Sequence, residues 1–283
     1  MTMETAAAPT AGTTAEPAGA PSGVRRRRPL PDWALGVAGA VTMLVVWDLT
    51  VRTGAVSDDT LPYPGDTLTA AGRLLTDPEF LTQVGETLWA WFASLALASV
   101  VAVPLGLLMG YFSTLYRPAS TVVHAARSIP STAFLPVAIL MFGLGFQMKL
   151  SLAIYAIFWP ILLNAMYGVR DAEPQMLTAG RGLGWNRWRL LTRIVLPSAA
   201  PSIATGIRVA SSIALIVVLS TELLGATSGI GTVITTYQQA QRPDVVYAGI
   251  LLTGLLGVVV YYAFTFGERW LLPWANAQRG GSR

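Results

Sequence analysis

Residues 171–201 read DAEPQMLTAGRGLGWNRWRLLTRIVLPSAAP, a hydrophilic and arginine-rich insert between two apolar runs. Pro174 suits the first position of a helix, because its missing N–H is one that a helix start leaves unused. The spacing predicts a short helix over Gln175–Arg181. Gly182 and Gly184 supply the freedom to turn. Asn186 is a good N-cap for a second helix over Arg187–Leu196, closed by Pro197. In that second helix Trp188, Leu191 and Val195 form an apolar stripe, with Arg187, Arg189 and Arg193 largely off it. The small residues Thr178-Ala179-Gly180 would let another surface approach closely. Two readings fit this pattern: a rigid knob docked into a cytoplasmic partner, or a basic helix lying on anionic lipid.

The rest of the chain places the insert at a membrane. Of 283 residues, 53% are hydrophobic and only 12% charged, about half the charge of an ordinary soluble domain. Six apolar segments are long enough to span a bilayer: Trp33–Val51, Leu88–Phe112, Thr121–Leu144, Leu150–Val169, Ser202–Leu224 and Val245–Phe266. Several contain prolines, among them Pro104, Pro130, Pro136 and Pro160, which membrane helices tolerate as kinks. The expected architecture is an all-α membrane protein with six transmembrane helices, the first at 33–52 and a five-helix core domain at 86–270.

With the N-terminus inside, fifteen basic residues fall on the cytoplasmic side, including Arg25–Arg28, and four fall outside: Arg52, Arg73, Lys149 and Arg242. This is a strong positive-inside asymmetry, and it predicts that both termini and the 171–201 loop are cytoplasmic. Residues 1–32 read as a disordered tail ending in a basic run, because Ala, Thr, Pro and Gly cannot bury enough apolar surface to order it. Residues 271–283 form a second cytoplasmic tail. Residues 53–85 form an extracytoplasmic segment whose short helix, capped by Asp66, carries Leu68, Leu74 and Leu75.

The chain has no cysteine and one histidine, which excludes disulfide scaffolds, thiolate metal sites and thiol nucleophiles. Its basic charge is explained by topology rather than by nucleic acid. A phosphate-binding loop needs a lysine after its glycines. The single lysine stands in Gln147-Met148-Lys149-Leu150, with no following Ser or Thr, so the chain itself carries no ATP site and no cofactor is expected in it.

The insert resembles the EAA loop of binding-protein-dependent ABC importer permeases of the MetI-like, six-helix type. The family glycine falls on Gly184 and the family Ile-x-Leu-Pro ending on Ile194-Val195-Leu196-Pro197. The Glu-Ala-Ala positions fall on Thr178-Ala179-Gly180, so only the middle residue is retained. Further motifs resemble the nitrate, sulfonate and taurine branch: Arg127-Ser128-Ile129-Pro130, Ala133-Phe134-Leu135-Pro136, Phe142-Gly143-Leu144-Gly145, Glu222-Leu223-Leu224 and Ser228-Gly229-Ile230-Gly231.

The resemblance implies an import permease for a small anion, not an enzyme. ATP would be hydrolysed by a cytoplasmic ABC ATPase dimer that receives the loop at Thr178, Ala179, Gly180, Arg181, Gly184 and Pro197. It also implies a second permease chain, expected to be identical, and an extracytoplasmic solute-binding protein. Asn164, Arg208 and Glu222 are the polar candidates for the translocation path. For Glu222, pairing with a helix-end partner or capping the Thr227-Ser228-Gly229 turn are the alternatives. For Asn164 the alternative is a bond to a neighbouring helix. For Arg208 and Arg127 two readings stand, snorkelling to the cytoplasmic surface or a positive ring attracting an anion at the inner mouth. Competing readings are import of another small organic solute (an aromatic acid or a vitamin precursor), a secondary transporter, which needs intramembrane ionisable pairs, and a membrane-embedded enzyme, which needs converging acids or histidines.

Overall fold

A computed structural model describes residues 32–57, 60–171 and 174–273. The expected N-terminal tail with its arginine run, and the C-terminal tail beyond residue 273, lie outside the described residues. Every regular element among those described is helical. The helices are α1 (Asp32–Arg52), α2 (Pro64–Leu74), α3 (Pro78–Tyr111), α4 (Ser113–Ala126), α5 (Leu135–Phe142), α6 (Phe146–Arg170), α7 (Pro174–Gly182), α8 (Arg187–Leu190), α9 (Leu196–Leu223), α10 (Ile230–Gln239) and α11 (Pro243–Leu271). The chain divides into two units, with the boundary inside α1 at Val45. In the first, the Thr42 hydroxyl donates to the Ala38 carbonyl at 2.8 Å. The second, from Val46 onward, contains everything described below.

Five helical stretches are long and apolar enough to cross a membrane: Ala34–Arg52, Pro78–Tyr111, Phe146–Arg170, Arg187–Leu223 and Pro243–Glu268. The expected third span is not one helix. α4 and the stretch Ser131–Phe142 meet at an angle of 73°, so the sixth crossing exists only as a bent pair. Pro130 accounts for this: it removes a donor, disfavours the helical conformation at Ile129 and is itself extended, with ψ 129°, whereas Pro136 sits harmlessly in the first turn of α5.

The centre is built from α3, α6 and α9, and small residues set their separation. A Cβ on Gly106 would lie 2.6 Å from the Ala165 Cβ and 2.7 Å from the Leu162 carbonyl oxygen. One on Gly168 would lie 2.9 Å from the Ala199 carbonyl oxygen. Ala98, Ala102, Ala210 and Ala214 are buried with Ile157, Ile161 and Met166 in the same cluster. Lipid tails are as apolar as leucine, so close van der Waals contact between backbones, rather than escape from water, holds such helices together. The Trp91 indole adds a polar tie, donating to the Ser211 carbonyl at 3.0 Å. Large apolar side chains such as Val100, Leu140 and Phe266 remain exposed, as lipid-facing positions require.

Two expectations are corrected at α2. Its N-cap is Tyr63, and Asp66 lies inside the first turn. Its buried face is Thr67, Ala70, Ala71 and Leu74, whereas Leu68 and Leu75 are exposed. Ala70, Ala71 and Leu74 pack with Val245, Ala248 and Leu252 of α11, so α2 lies along the bundle. A third correction concerns Pro197, which does not close the second helix of the 171–201 insert. α8, a π-helical turn at Leu191–Val195 and α9 form one helical column, with Pro197 in the first turn of α9. A proline there needs no N–H partner within the helix it opens, and the wider π turn accommodates its ring.

Gly106 and Gly85 form a matched test of this packing, because a Cβ on Gly85 meets nothing within 4 Å. Gly106→Ala is expected to lower stability by about 1–3 kcal/mol through overpacking. Gly85→Ala is expected to be neutral or to raise it by up to about 1 kcal/mol. Melting of the purified chain in detergent would read both, and equal effects would contradict the close packing of α3 on α6.

Candidate functional site

The insert folds as a hairpin with a built-in hinge. Gly184 has a φ of +72°, in the left-handed region where a side chain is strained. The Trp185 N–H donates to the Gly180 carbonyl at 3.1 Å and the Gly184 N–H to that of Arg181 at 3.0 Å. This paired closure satisfies the last carbonyls of α7 and requires the glycine. Asn186 then caps α8, its side-chain oxygen accepting from the Arg189 N–H at 2.8 Å. Gly180 is buried against the second arm, where a Cβ would lie 2.6 Å from Leu190 Cδ2 and 3.1 Å from Ile194 Cδ1. Thr178, Ala179 and Arg181 are exposed, so the hairpin presents Thr178 and Ala179 outward while Gly180 closes its interior.

The expected apolar stripe is partly replaced. Val195 is buried, but Trp188 is 71% exposed and Leu190 takes the inward position. Arg170, Arg181 and Arg187, with Ser113 and Thr114, line a cavity of about 440 Å³ beside the hairpin. The Arg170 guanidinium also sits 3.9 Å from the centre of the Tyr116 ring.

At the opposite end of the same column Glu222 takes the structural role held open for it, pairing with a helix-end partner and bonding the turn that follows α9. The partner, which the sequence did not single out, is Lys149 in the first turn of α6. Lys149 and Glu222 are both buried, and their ammonium and carboxylate meet at 3.1 Å. The Thr87 hydroxyl lies 3.0 Å from each Glu222 oxygen, and the Gly231 N–H donates to Oε2 at 3.1 Å. Lys149 Nζ also donates to the Ser228 carbonyl at 3.0 Å. Thr87 accepts from the Ile230 N–H at 2.9 Å, and Gln83 accepts from the Gly229 N–H at 2.7 Å. Four elements thus converge on one carboxylate: α3, α6, α9 and the turn leading into α10. Gly229 has a φ of +112°, and a Cβ there would fall on the carboxylate itself; that is why the turn reads Ser228-Gly229-Ile230-Gly231.

Glu222 and Lys149 are 73 residues apart in the chain, and Lys149 read as an outer-side cation, so no ionisable pair was expected within the spans. The fold makes one. The sequence signals were Glu222 itself, an acid near a helix end before a Gly-containing turn, and the chain's single lysine at the start of an apolar run.

The other path candidates are engaged within the chain. Asn164 Nδ2 donates to the Pro160 carbonyl of its own helix at 2.8 Å, and its Cβ fills the space left by Gly206. Its bond is therefore local, not to a neighbouring helix. Arg208 pairs with Glu268 of α11 at 2.9 Å, where free snorkelling or a positive ring at the inner mouth had been expected.

Long apolar helices, a cytosol-type basic hairpin and one rigid column joining that hairpin to a buried ionic network define a multi-span membrane transport subunit. Known proteins narrow this further. The chain belongs to the family of binding-protein-dependent transport system inner membrane components, whose model matches residues 102–273. It is 35% identical over 184 residues to the putative ABC transporter permease protein MJ0413 of Methanocaldococcus jannaschii, covering 65% of this chain and 69% of that one. It is 29% identical to the taurine transport system permease protein TauC of Escherichia coli, covering 85% and 89% respectively. It is also 29% identical to the bicarbonate transport system permease protein CmpB of Synechococcus elongatus, covering 89% and 94%. Among solved structures, the inward-facing MetNI methionine ABC transporter superposes with a TM-score of 0.60 at 20% identity, covering 67% of this chain and 94% of that one. The chain is therefore an ABC transporter permease, a multi-pass plasma-membrane transport subunit and not a catalytic one, from a family that works with a separate ATPase and a solute-binding protein.

Removing one half of the buried pair should be far worse than removing both charges. Lys149→Met, which strands the carboxylate, is expected to cost about 3–5 kcal/mol. Lys149→Met combined with Glu222→Gln should recover most of that, because the amide still accepts from Thr87 and Gly231. Unfolding in detergent would measure both, and a single mutant as stable as wild type would refute the pair.

Proposed function

We propose that this chain forms half of the translocation path of an ATP-driven importer for a small anionic solute of the sulfonate, taurine or bicarbonate kind. A second, identical chain supplies the other half, and a solute-binding protein delivers the cargo from outside. The hairpin at 174–196 lies in the cytoplasm, where the exposed Thr178, Ala179 and Arg181 dock on the ATPase; Gly180, expected to dock with them, instead holds the two arms of the hairpin together. The observation that carries this reading is the unbroken helical column from Arg187 to Leu223. A displacement at the hairpin then reaches the far end of the membrane without crossing a flexible joint. The named activities of relatives from two sulfur- and carbon-oxyanion systems support the anionic cargo, and the positive-inside bias supports the orientation.

The orientation can be tested cleanly because the chain has no native cysteine. Leu183, at the tip of the hairpin, is 73% exposed, and Thr227, near the opposite end, is also exposed. In intact spheroplasts a membrane-impermeant maleimide should label Thr227→Cys and spare Leu183→Cys; inverted vesicles should give the reverse. The opposite pattern in both preparations would overturn the orientation.

Coupling can be tested at the hinge. Gly184→Val places a branched side chain in a left-handed conformation, at a cost of about 1–3 kcal/mol. In vesicles holding the assembled transporter, ATP hydrolysis should continue while solute taken up per ATP falls about tenfold. Unchanged stoichiometry would refute the hinge as the coupling element.

A further inference from the structure

The bend between α4 and α5 runs through a turn at 127–130 and a short 3-10 helix, Ser131–Phe134, on the exposed side of α6. The Tyr155 hydroxyl donates to the Ala126 carbonyl at 2.9 Å and its ring stacks edge-on against Phe134 at 4.8 Å, while the Tyr167 hydroxyl lies 3.3 Å from His124 Nε2, so the bend runs alongside α6 from the level between Tyr167 and Tyr155 to that of Tyr155. That tyrosine is well inside the 25-residue α6, roughly 14 Å from one end and 22 Å from the other at 1.5 Å per residue. Non-helical backbone at such a depth is tolerated only where protein covers it or where it faces a water-filled cavity. Here Arg127, Thr132, Ala133 and Phe134 are exposed, so the chain itself does not cover it.

The polar groups of this segment are also uncommitted. The Arg127 guanidinium and the hydroxyls of Ser131 and Thr132 have no hydrogen-bond or ion-pair partner among the described residues. Ser128 differs, donating to the His124 carbonyl at 2.9 Å. The carboxylates of Glu222 and Glu268 are held by Lys149 and Arg208, so neither neutralises Arg127. Facing lipid, an arginine at this depth is unfavourable by about 2.5–3.5 kcal/mol. Facing an aqueous path, it is a positive charge in a region of reduced dielectric, with two hydroxyl donors within a turn.

We infer that Arg127, with Ser131 and Thr132, is the charge-selecting constriction of the path, donating hydrogen bonds to the oxyanion of a passing sulfonate, carboxylate or bicarbonate group. A guanidinium matches such an oxyanion with two parallel N–H donors. A single cation with neutral donors binds weakly enough for the solute to leave again. This inference rests on the proposed import of a small anion along a path between two copies of the chain, and it makes Arg127, rather than Arg208 or Glu222, the residue that reads the charge.

The test uses Thr132→Cys in the assembled, vesicle-reconstituted transporter, with two water-soluble thiol reagents: sulfonatoethyl methanethiosulfonate, an anion, and its trimethylammonioethyl counterpart, a cation. With Arg127 present the anion-to-cation rate ratio should be about tenfold higher than the same ratio measured with a small free thiol, the factor for a unit charge about 6 Å away in a water-like dielectric. Arg127→Gln should abolish the preference, and Arg127→Lys, which controls for folding, should keep most of it. The inference is overturned if Thr132→Cys is unreactive from water with and without ATP, or if the preference survives Arg127→Gln. Labelling needs no transported solute. If the wild-type transporter moves no taurine, methanesulfonate or bicarbonate, the import reading fails by that separate measurement, while the labelling still reports whether Arg127 faces water.

Discussion

In hydrocarbon there is no water to satisfy a stray N–H, C=O or charge, and each one left over is unfavourable by several kcal/mol. That constraint makes the described chain helical, and it also makes every departure from a helix informative. The described membrane-core region departs from regular α-helix at few places. At the Gly184 hinge the loose carbonyls are closed by the turn itself. At Gly229–Gly231 the free N–H groups are taken up by Gln83, Thr87 and Glu222. At Arg127–Phe134 the N–H groups of Arg127, Ser128, Ile129 and Ala133 are bonded to nearby carbonyls, and it is the side chains of Arg127, Ser131 and Thr132 that have no partner among the described residues.

The ionic network gains its importance from where the column ends. Glu222 lies one residue from the C-terminus of α9, and Arg187 begins the same column about 35 residues earlier, roughly 50 Å away by helical rise. Anything that tilts or translates the hairpin moves the carboxylate that Lys149 of α6, Thr87 of α3 and the turn before α10 all share. A buried pair is a poor source of net stability but an exacting one, because a misplaced partner leaves a charge uncompensated. The pair therefore favours discrete positions of α9 over a continuum of them. The Arg208–Glu268 pair ties the same column to α11 lower down.

Much of this was legible in the sequence. Apolar length gave the spans, and Pro174, Gly184 and Asn186 gave the hairpin, because caps and hinges are set by local backbone chemistry. What failed was non-local or proline-related. Pro197 looked like a terminator, but a proline opening a helix and one closing it are the same residue to a local reading. The Thr121–Leu144 run looked like one span because hydropathy does not register a 73° bend. Leu68 and Leu75 looked like a buried face because they are large, whereas α2 uses Ala70 and Ala71 to lie close against α11. That Glu222 would pair with a helix end was open to a sequence reading, but that the partner is Lys149 was not, because charge pairing across 73 residues leaves no periodic trace.

The contrast between Lys149 and Arg127 separates structure from function within one chain. Both are cations in apolar surroundings. Lys149 is surrounded by acceptors from this chain, namely a carboxylate, a carbonyl and a hydroxyl, so its charge is answered within the fold. Arg127 has none of these, although supplying one acid nearby would have been a small change in sequence. A chain that neutralises one buried cation so completely and leaves another exposed at the level of Tyr155 is keeping the second charge available for something that is not part of it. The permanence of the guanidinium charge suits that role, because a lysine at the same depth could shed its proton when no anion is present.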